Sequence, residues 1–183
     1  MKSNLAQGDI IYGKNVTVTK NENANIYKSD KEADTSKLAS QAQRTVFIIH
    51  GHNEAKRREL EHILRGFGLH TIVLSEQTDD GKTIIEKFEY YASQSQFAFA
   101  LFTYDDIVVN NKEEYLQVRP NVIFELGWFY AKLGRENVMI LEQRVSKSNV
   151  FSDLQGIVRT QYIENVEEAY KKIQDQLKKS NIL

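Results

Sequence analysis

Asn121 and Glu125 are the polar pair in this chain whose spacing best suits chemistry, four residues apart on a predicted helix. Pro120 suits the first turn of that helix, and apolar residues recur from Val122 at helical spacing. Side chains at i and i+4 share a helix face, so the amide and the carboxylate lie together beside a buried stripe. A charge in that position is rare unless it is paired or used, so Glu125 is a candidate active carboxylate.

Further polar groups follow predicted buried strands, where ligands commonly bind. They are His50, Gly51, His52 and Asn53 after the first strand; Gln77, Gly81, Lys82 and Thr83 after the second; and Tyr104, Asp105 and Asp106 after the third. Each has a structural alternative: Asn53 can cap a helix, Asp105 can cap a turn, and Lys82 can be solvated. Trp128, one turn beyond Glu125, is interpreted as a packing residue.

Several kinds of site are excluded or disfavoured by the sequence. No dinucleotide-binding glycine fingerprint, Walker phosphate loop or nucleophile-elbow serine is present. The chain has no cysteine, which excludes disulfides, thiolate metal sites and a cysteine nucleophile. His50 and His52 have no third ligand at metal spacing, so no metal is expected.

Strands alternate with helices along the second part of the chain. The predicted strands are 45–50, 70–74, 97–102, 137–141 and 157–163; residues 105–118 are predicted to be a polar loop and 142–156 an irregular one. This alternation predicts an α/β fold, with a five-stranded, mainly parallel, flavodoxin-like sheet of order 2-1-3-4-5 and helices on both faces. Ligands bind such sheets at the carboxyl ends of the strands near the switch point, here loops 50–53, 75–83, 103–106 and 118–125.

Two regions are predicted. Residues 1–43 are polar; Ile10–Tyr12 and Val16–Thr19 flank a Gly/Asn turn that indicates a β-hairpin, and 20–43 resemble a linker. A hairpin alone is marginal in water, so it would need a partner surface, such as another copy of the chain. A disordered tail is the alternative. Residues 44–183 form the predicted compact domain.

The overall composition is ordinary for a globular protein. The 183 residues are 41% apolar and 27% charged, with a formal net charge of −1 and no long basic run. We therefore expect no strong nucleic-acid binding. No apolar stretch is long enough to span a bilayer and the N-terminus lacks an apolar signal core, so we expect a soluble, cytoplasmic protein.

Five motifs, in order and without large gaps over residues 44–178, resemble the bacterial TIR-like predicted nucleotide-binding family. They are Val46-Phe-Ile-Ile-His-Gly-His-Asn-Glu54, Glu76-Gln77…Gly81-Lys-Thr-Ile-Ile-Glu86, Phe102-Thr-Tyr-Asp-Asp106, Pro120-Asn-Val-Ile-Phe-Glu-Leu-Gly-Trp-Phe129 and Ser152-Asp-Leu-Gln-Gly156. This type occurs in anti-phage signalling effectors, including fusions to STING-like or cyclic-nucleotide sensor domains. Tyr104 departs from the family, which often has proline there.

The resemblance implies a TIR-like fold and NAD⁺ glycohydrolase activity, with NAD⁺ as substrate and no separate cofactor. By motif position, Glu125 is the catalytic glutamate and Asn121 its neighbour on the ribose or nicotinamide. Loop 75–83 matches the family's BB loop, which gates the site and often contacts a neighbouring protomer. His50, His52 and Asn53 are candidates for the pyrophosphate or ribose, and Asp105 for a hydroxyl or for holding the loop.

The chemistry is consistent with a single carboxylate. The leaving nicotinamide is already a cationic pyridinium, so it needs no general acid, and a carboxylate near C1′ stabilises the oxocarbenium-like state or acts as a nucleophile.

The resulting hypothesis is an assembly-activated anti-phage effector. Its expected partners are NAD⁺, further copies in an oligomer or filament, and a separate sensor protein or nucleotide signal. A non-catalytic nucleotide-sensing scaffold and a nucleoside deoxyribosyltransferase-like enzyme are the alternatives. The product, whether linear ADP-ribose, a cyclic isomer or a base-exchange adduct, stays open.

Overall fold

The computed structural model describes residues 45–110, 112–146, 148–149, 154 and 156–183. Its strands are β1 (Thr45–Ile49), β2 (His70–Ile72), β3 (Phe97–Phe102), β4 (Asp106–Asn110), β5 (Glu113–Gln117), β6 (Val138–Gln143), β7 (Ser148–Asn149) and β8 (Arg159–Tyr162). Its α-helices are α1 (Glu54–Gly66), α2 (Ile84–Ala92), α3 (Pro120–Leu133) and α4 (Tyr170–Lys179), with 3₁₀ turns at Leu74–Glu76, Arg135–Asn137 and Val166–Ala169.

The main sheet has the order β2-β1-β3-β6-β8, and all four pairings are parallel. This confirms the predicted five-stranded α/β fold and its order. The direction of the order reverses at β1, so the carboxyl ends of β1 and β3 meet at the expected switch point.

Helices cover both faces of the sheet because alternate residues of each buried strand point to opposite sides. Val46 and Ile48 of β1 pack on one side with α1 and α4, while Phe47 and Ile49 pack on the other with α2 and α3. The all-apolar β1 and β3 are buried along their whole length, as the continuous apolar runs predicted.

Local signals correctly placed most helix ends. Asn53 accepts a hydrogen bond from the Lys56 backbone N–H, and Thr83 with Glu86 forms a reciprocal capping box at α2. Pro120 begins α3, and Gly134 ends it with a φ of 79°.

The prediction of a polar loop over 105–118 was wrong. Strands β4 and β5 form an antiparallel hairpin there, and β5 pairs with β7 to make a second, three-stranded sheet. Ile107 and Val109 are both exposed, so the segment shows a strand's period of two, but no buried apolar run reveals it.

Strand bounds also differ from prediction. β6 runs to Gln143 instead of ending at residue 141, so it includes the first two residues of the predicted irregular loop 142–156. β2 ends at Ile72 instead of Leu74, because the chain turns into a 3₁₀ turn after its last pairing with β1. β8 spans Arg159–Tyr162, a shorter strand than the predicted 157–163.

The predicted hairpin and linker of residues 1–43 lie outside the described residues, so that domain boundary stays a prediction. Of the motif 152–156, only Leu154 and Gly156 are described. Within the described ranges, no helix is both long enough and apolar enough to cross a membrane.

Candidate active site

Helix α3 presents Glu125 and Asn121 at the carboxyl edge of the sheet. Val122, Leu126 and Phe129 are buried and fix the rotation of the helix against the sheet. With that face anchored, Asn121 is exposed and Glu125 is partly buried one turn later. The sequence spacing is therefore realised as a carboxylate at the margin of the core.

Glu125 and Asn121 line a cavity of about 280 Å³ at the switch point. The end of β1, the segment after β2, α2 and α3 all contribute to its wall. The lining residues are Ile48, His50, Gly51, Leu74, Ser75, Asp79, Ile84, Lys87, Asn121 and Glu125. Four of the predicted site residues are thus brought together: His50, Gly51, Asn121 and Glu125.

An apolar groove of about 390 Å³ adjoins this cavity. It is lined by Leu74, Ile84, Ile85, Phe88, Pro120, Asn121, Phe124 and Glu125. Ile84 is 81% exposed and Phe124 is 56% exposed, so large apolar side chains face outward beside the carboxylate. Glu125 therefore lies between a cavity with both polar and apolar lining residues and a more apolar groove.

The Glu125 carboxyl has no hydrogen-bond or ion-pair partner among the described residues. Burial raises its pKa from the usual 4.5 to about 7. A carboxyl without a compensating donor loses hydration and gains nothing in return, so its neutral form is favoured. Such a group changes charge near neutral pH, which is typical of functional carboxyls.

His50 forms part of the cavity wall at the end of β1. Its Nδ1 is buried without a hydrogen-bond partner in the described structure and lies 3.8 Å from Oε1 of Glu54. Burial lowers the His50 pKa below 6.5. The ring is therefore mostly neutral at pH 7 and can serve as a hydrogen-bonding group.

Gly51 is closely approached by Asp105. The Asp105 Oδ2 accepts hydrogen bonds from the His52 backbone N–H at 2.8 Å and from Thr103 Oγ1 at 2.9 Å. A Cβ on Gly51 would lie 2.2 Å from that oxygen. Asp105 thus holds the β1–α1 loop to the end of β3, which agrees with the loop-holding alternative.

Lys87 and Asp79 form an ion pair at the cavity, with Nζ and Oδ1 2.7 Å apart. Neither was among the predicted site residues, and neither was Ser75. Lys87 occupies a buried position on α2 beside Phe88. The sequence could have indicated it, because Lys87 is a charge within an apolar helical stripe, which is the pattern that made Glu125 a candidate.

Other predicted site residues do not line the cavity. Tyr104 is buried and donates a hydrogen bond to Glu142 at 2.6 Å, and Gln77 donates one to the Val73 carbonyl. Asn53 caps α1. Gly81 and Lys82 line a separate surface depression, while Thr83 caps α2.

The family model for the TIR domain of CAP12/Pycsar effector proteins matches residues 45–164. The chain belongs to this TIR family. The matched span runs from β1 past β8 and includes both Glu125 and the cavity.

Curated relatives of this TIR domain come from bacteria and from an amoeba. It is 38% identical over 124 residues to "Uncharacterized protein YuaY" of Escherichia coli, covering 67% of this chain and 41% of the relative. It is 35% identical over 138 residues to "Protein tirC" of Dictyostelium discoideum, and the match covers 70% of this chain and 69% of the relative. It is 37% identical over 78 residues to the "Pycsar effector protein PaPycTIR" of Pseudomonas aeruginosa, and the match covers 43% of this chain and 25% of the relative.

The TIR domain accounts for only part of several relatives. The chain spans less than half the length of YuaY and a quarter of the Pseudomonas effector. Within the described residues of this TIR domain, no group of three or more His, Asp or Glu side chains could hold a metal ion.

Proposed function

We propose that this TIR domain is an NAD⁺ glycohydrolase in which Glu125 is the catalytic carboxylate. The observation that carries the proposal is the placement of a desolvated Glu125, which has no partner among the described residues, between the cavity and the apolar groove. Enzymes that stabilise a cationic transition state need a carboxylate fixed where positive charge develops.

The two surfaces beside Glu125 suit different parts of the substrate. The groove presents Phe88, Phe124 and Ile84 to a flat aromatic base such as nicotinamide. The cavity presents hydrogen-bonding groups, including Asn121 and Ser75, to a ribose. The glycosidic bond would then lie beside Glu125, where base and sugar meet.

The reaction breaks the bond between C1′ and the pyridinium nitrogen, and the bonding electrons leave with neutral nicotinamide. Positive charge develops on the ribose ring and is stabilised by the ionised Glu125 carboxylate. Water then adds at C1′ and loses a proton, which gives ADP-ribose. Because the ring nitrogen needs no proton to depart, the site requires no second carboxyl as a general acid.

The direct test replaces Glu125 with glutamine. Glu125→Gln should lower nicotinamide release by about 100-fold or more, as is usual when transition-state charge stabilisation is removed. Glu167→Gln, at an exposed glutamate remote from the cavity, is the matched control and should leave the rate unchanged. Both rates are measured chromatographically on assembled protein, and equal NAD⁺ consumption by Glu125→Gln would refute the assignment.

The same experiment separates the enzyme from a nucleotide-sensing scaffold. A scaffold would bind NAD⁺ in titration calorimetry without forming a product at any protein concentration. An enzyme would convert bound NAD⁺ to nicotinamide and a ribose product.

We further propose that the activity serves anti-phage defence and is switched on by assembly. Support comes from membership of the CAP12/Pycsar TIR family and from the similarity to the Pseudomonas relative, which is named a Pycsar effector. The proposed partners are other copies of the chain, in an oligomer or filament, and a sensor protein or nucleotide signal that triggers their association.

A further inference from the structure

Lys87 is the only lysine or arginine among the described residues that line the cavity. It lies on α2, and its side chain is only 11% exposed. A buried ammonium loses hydration and therefore needs an anion within reach. The identity of that anion determines what else can bind in the cavity.

In the present structure the anion is Asp79, from the loop between β2 and α2. The two side chains differ in their surroundings, because the Asp79 side chain is 81% exposed. An exposed carboxylate keeps most of its hydration, so the aspartate itself loses little when it leaves its partner. Separation of the pair therefore costs the buried lysine more free energy than it costs the exposed aspartate.

Exchange of this anion would require little rearrangement. Two contacts restrain the loop independently of the Asp79 carboxylate. The Lys82 N–H donates a hydrogen bond to the Asp79 carbonyl, and the hydroxyls of Thr78 and Tyr91 contact each other. Within the described part of the chain, the Asp79 carboxylate has no side-chain partner other than Lys87. Rotation of its side chain into solvent is enough to vacate the ammonium.

The charge balance of the cavity changes with that rotation. With Asp79 in place, a phosphate entering the cavity meets the carboxylates of Asp79 and Glu125 against the single ammonium of Lys87. With Asp79 turned away, the ammonium is free for a phosphate oxygen, and the repulsion from one carboxylate is removed. Phosphate carries several acceptor oxygens, so it can replace the carboxylate on an ammonium.

We infer that Lys87 binds a phosphate of the substrate and that Asp79 occupies its ammonium as a displaceable substitute in the unliganded protein. The inference deepens the proposed NAD⁺ glycohydrolase and rests on it for the identity of the substrate. It assigns Lys87 to binding and Asp79 to competition for the same position.

The test measures the affinity of the full chain for ADP-ribose, with adenosine as a phosphate-free probe. Lys87→Met keeps the length and apolar stem of the side chain and should raise the ADP-ribose Kd by about 10-fold or more. Lys87→Arg should restore binding to within a few fold. Asp79→Asn should lower the Kd by about two- to fivefold, in keeping with the small worth of an exposed partner.

Two controls make the result specific. Lys171→Met removes a cation from an ion pair of similar length, 2.8 Å to Asp175 on α4, and should not change either Kd. Adenosine affinity should be the same in all variants. Thermal unfolding checks that each variant is folded; if Lys87→Met is not, the Asp79→Asn titration decides.

Unchanged ADP-ribose affinity in folded Lys87→Met, or in Asp79→Asn, would overturn the inference, as would a wild-type chain that does not bind ADP-ribose. Failure of the glycohydrolase proposal has a different signature: wild-type chain releases no nicotinamide although ADP-ribose binds in a Lys87-dependent manner. If both proposals hold, Lys87→Met raises KM for NAD⁺ and largely preserves kcat.

Discussion

The proposed role of Glu125 and its burial have opposite effects on the charge of its carboxyl. The carboxyl must be ionised to stabilise a cation, yet burial raises its pKa to about 7 and favours the neutral form. His50, Asp79 and Lys87 line the same cavity. Of these, His50 has its pKa lowered by burial, which favours its neutral form.

We predict that activity and stability change oppositely with pH around neutrality. The value of kcat/KM should rise with pH up to about 7 and then level off, because only ionised Glu125 is active. Stability should fall over the window from about 4.5 to 7, because the folded state binds the Glu125 proton more tightly than the unfolded state does. At about 1.4 kcal/mol per pKa unit, this contribution is at most about 3.5 kcal/mol.

Glu125→Gln is the matched variant for this prediction. It should remove that part of the pH dependence of unfolding and be more stable than wild type at pH 8, as measured by urea denaturation across the pH series. If the free energy of unfolding of Glu125→Gln depends on pH as steeply as that of the wild type, another group is responsible.

We predict that Gly51→Ala is costly only while Asp105 is present. The added methyl would lie 2.2 Å from the Asp105 Oδ2, so the variant should lose about 1–3 kcal/mol of stability and part of its activity. In an Asp105→Ala background the same change should cost much less, because the clashing carboxylate is gone.

Denaturant unfolding of the four proteins in this cycle measures the coupling. Gly66→Ala is the control, since a Cβ there meets no heavy atom within 4 Å. Equal costs of Gly51→Ala in both backgrounds would contradict the proposed contact.

At the scale of elements, Arg57 joins α1 to the segment that forms one wall of the cavity. Its guanidinium contacts Glu54 and Glu61 of its own helix and Glu76 of the following 3₁₀ turn, at 2.7 to 2.9 Å. Glu61 is buried and pairs with Arg65 as well as with Arg57, so loss of Arg57 would leave its charge only partly compensated.

We predict that Arg57→Leu destabilises the fold by about 1–3 kcal/mol, because buried Glu61 keeps only Arg65 as a charged partner. Amide hydrogen exchange should also quicken in residues 74–79, which lose their link through Glu76. The exposed neighbour Arg58 provides the control: Arg58→Leu should change stability by less than about 0.5 kcal/mol. Equal effects of the two substitutions would argue against the linking role.

At the scale of the whole molecule, the proposed assembly makes activity depend on protein concentration. Specific activity for nicotinamide release should rise steeply with the concentration of the full chain, because mass action favours the associated state. The measurement combines product chromatography with light scattering over the same concentration series. Constant specific activity across a change in oligomeric state would remove assembly from the proposal.

Local patterns were sufficient to predict much of this molecule. The buried runs of β1 and β3, the caps at Asn53 and Thr83, and the 2-1-3-4-5 order depend on residues close in the chain and on general connection rules. The hairpin β4–β5 was missed because its exposed strands lack a buried face. Glu125 was found because a charge beside an apolar stripe is visible in the helical period.

Only the tertiary structure decided how the remaining polar groups are used. In the folded chain, Tyr104 donates a hydrogen bond to Glu142 and does not line the cavity. Asp105 lies close to Gly51, and Lys87 forms an ion pair with Asp79 at the cavity. The tertiary structure also raised the pKa of Glu125, through burial. The sequence by itself therefore determined the fold, through local periodicity, and the leading catalytic candidate, through periodicity together with the family motifs. Burial and long-range contacts arise only when distant segments pack together, and they determined the composition and electrostatics of the site.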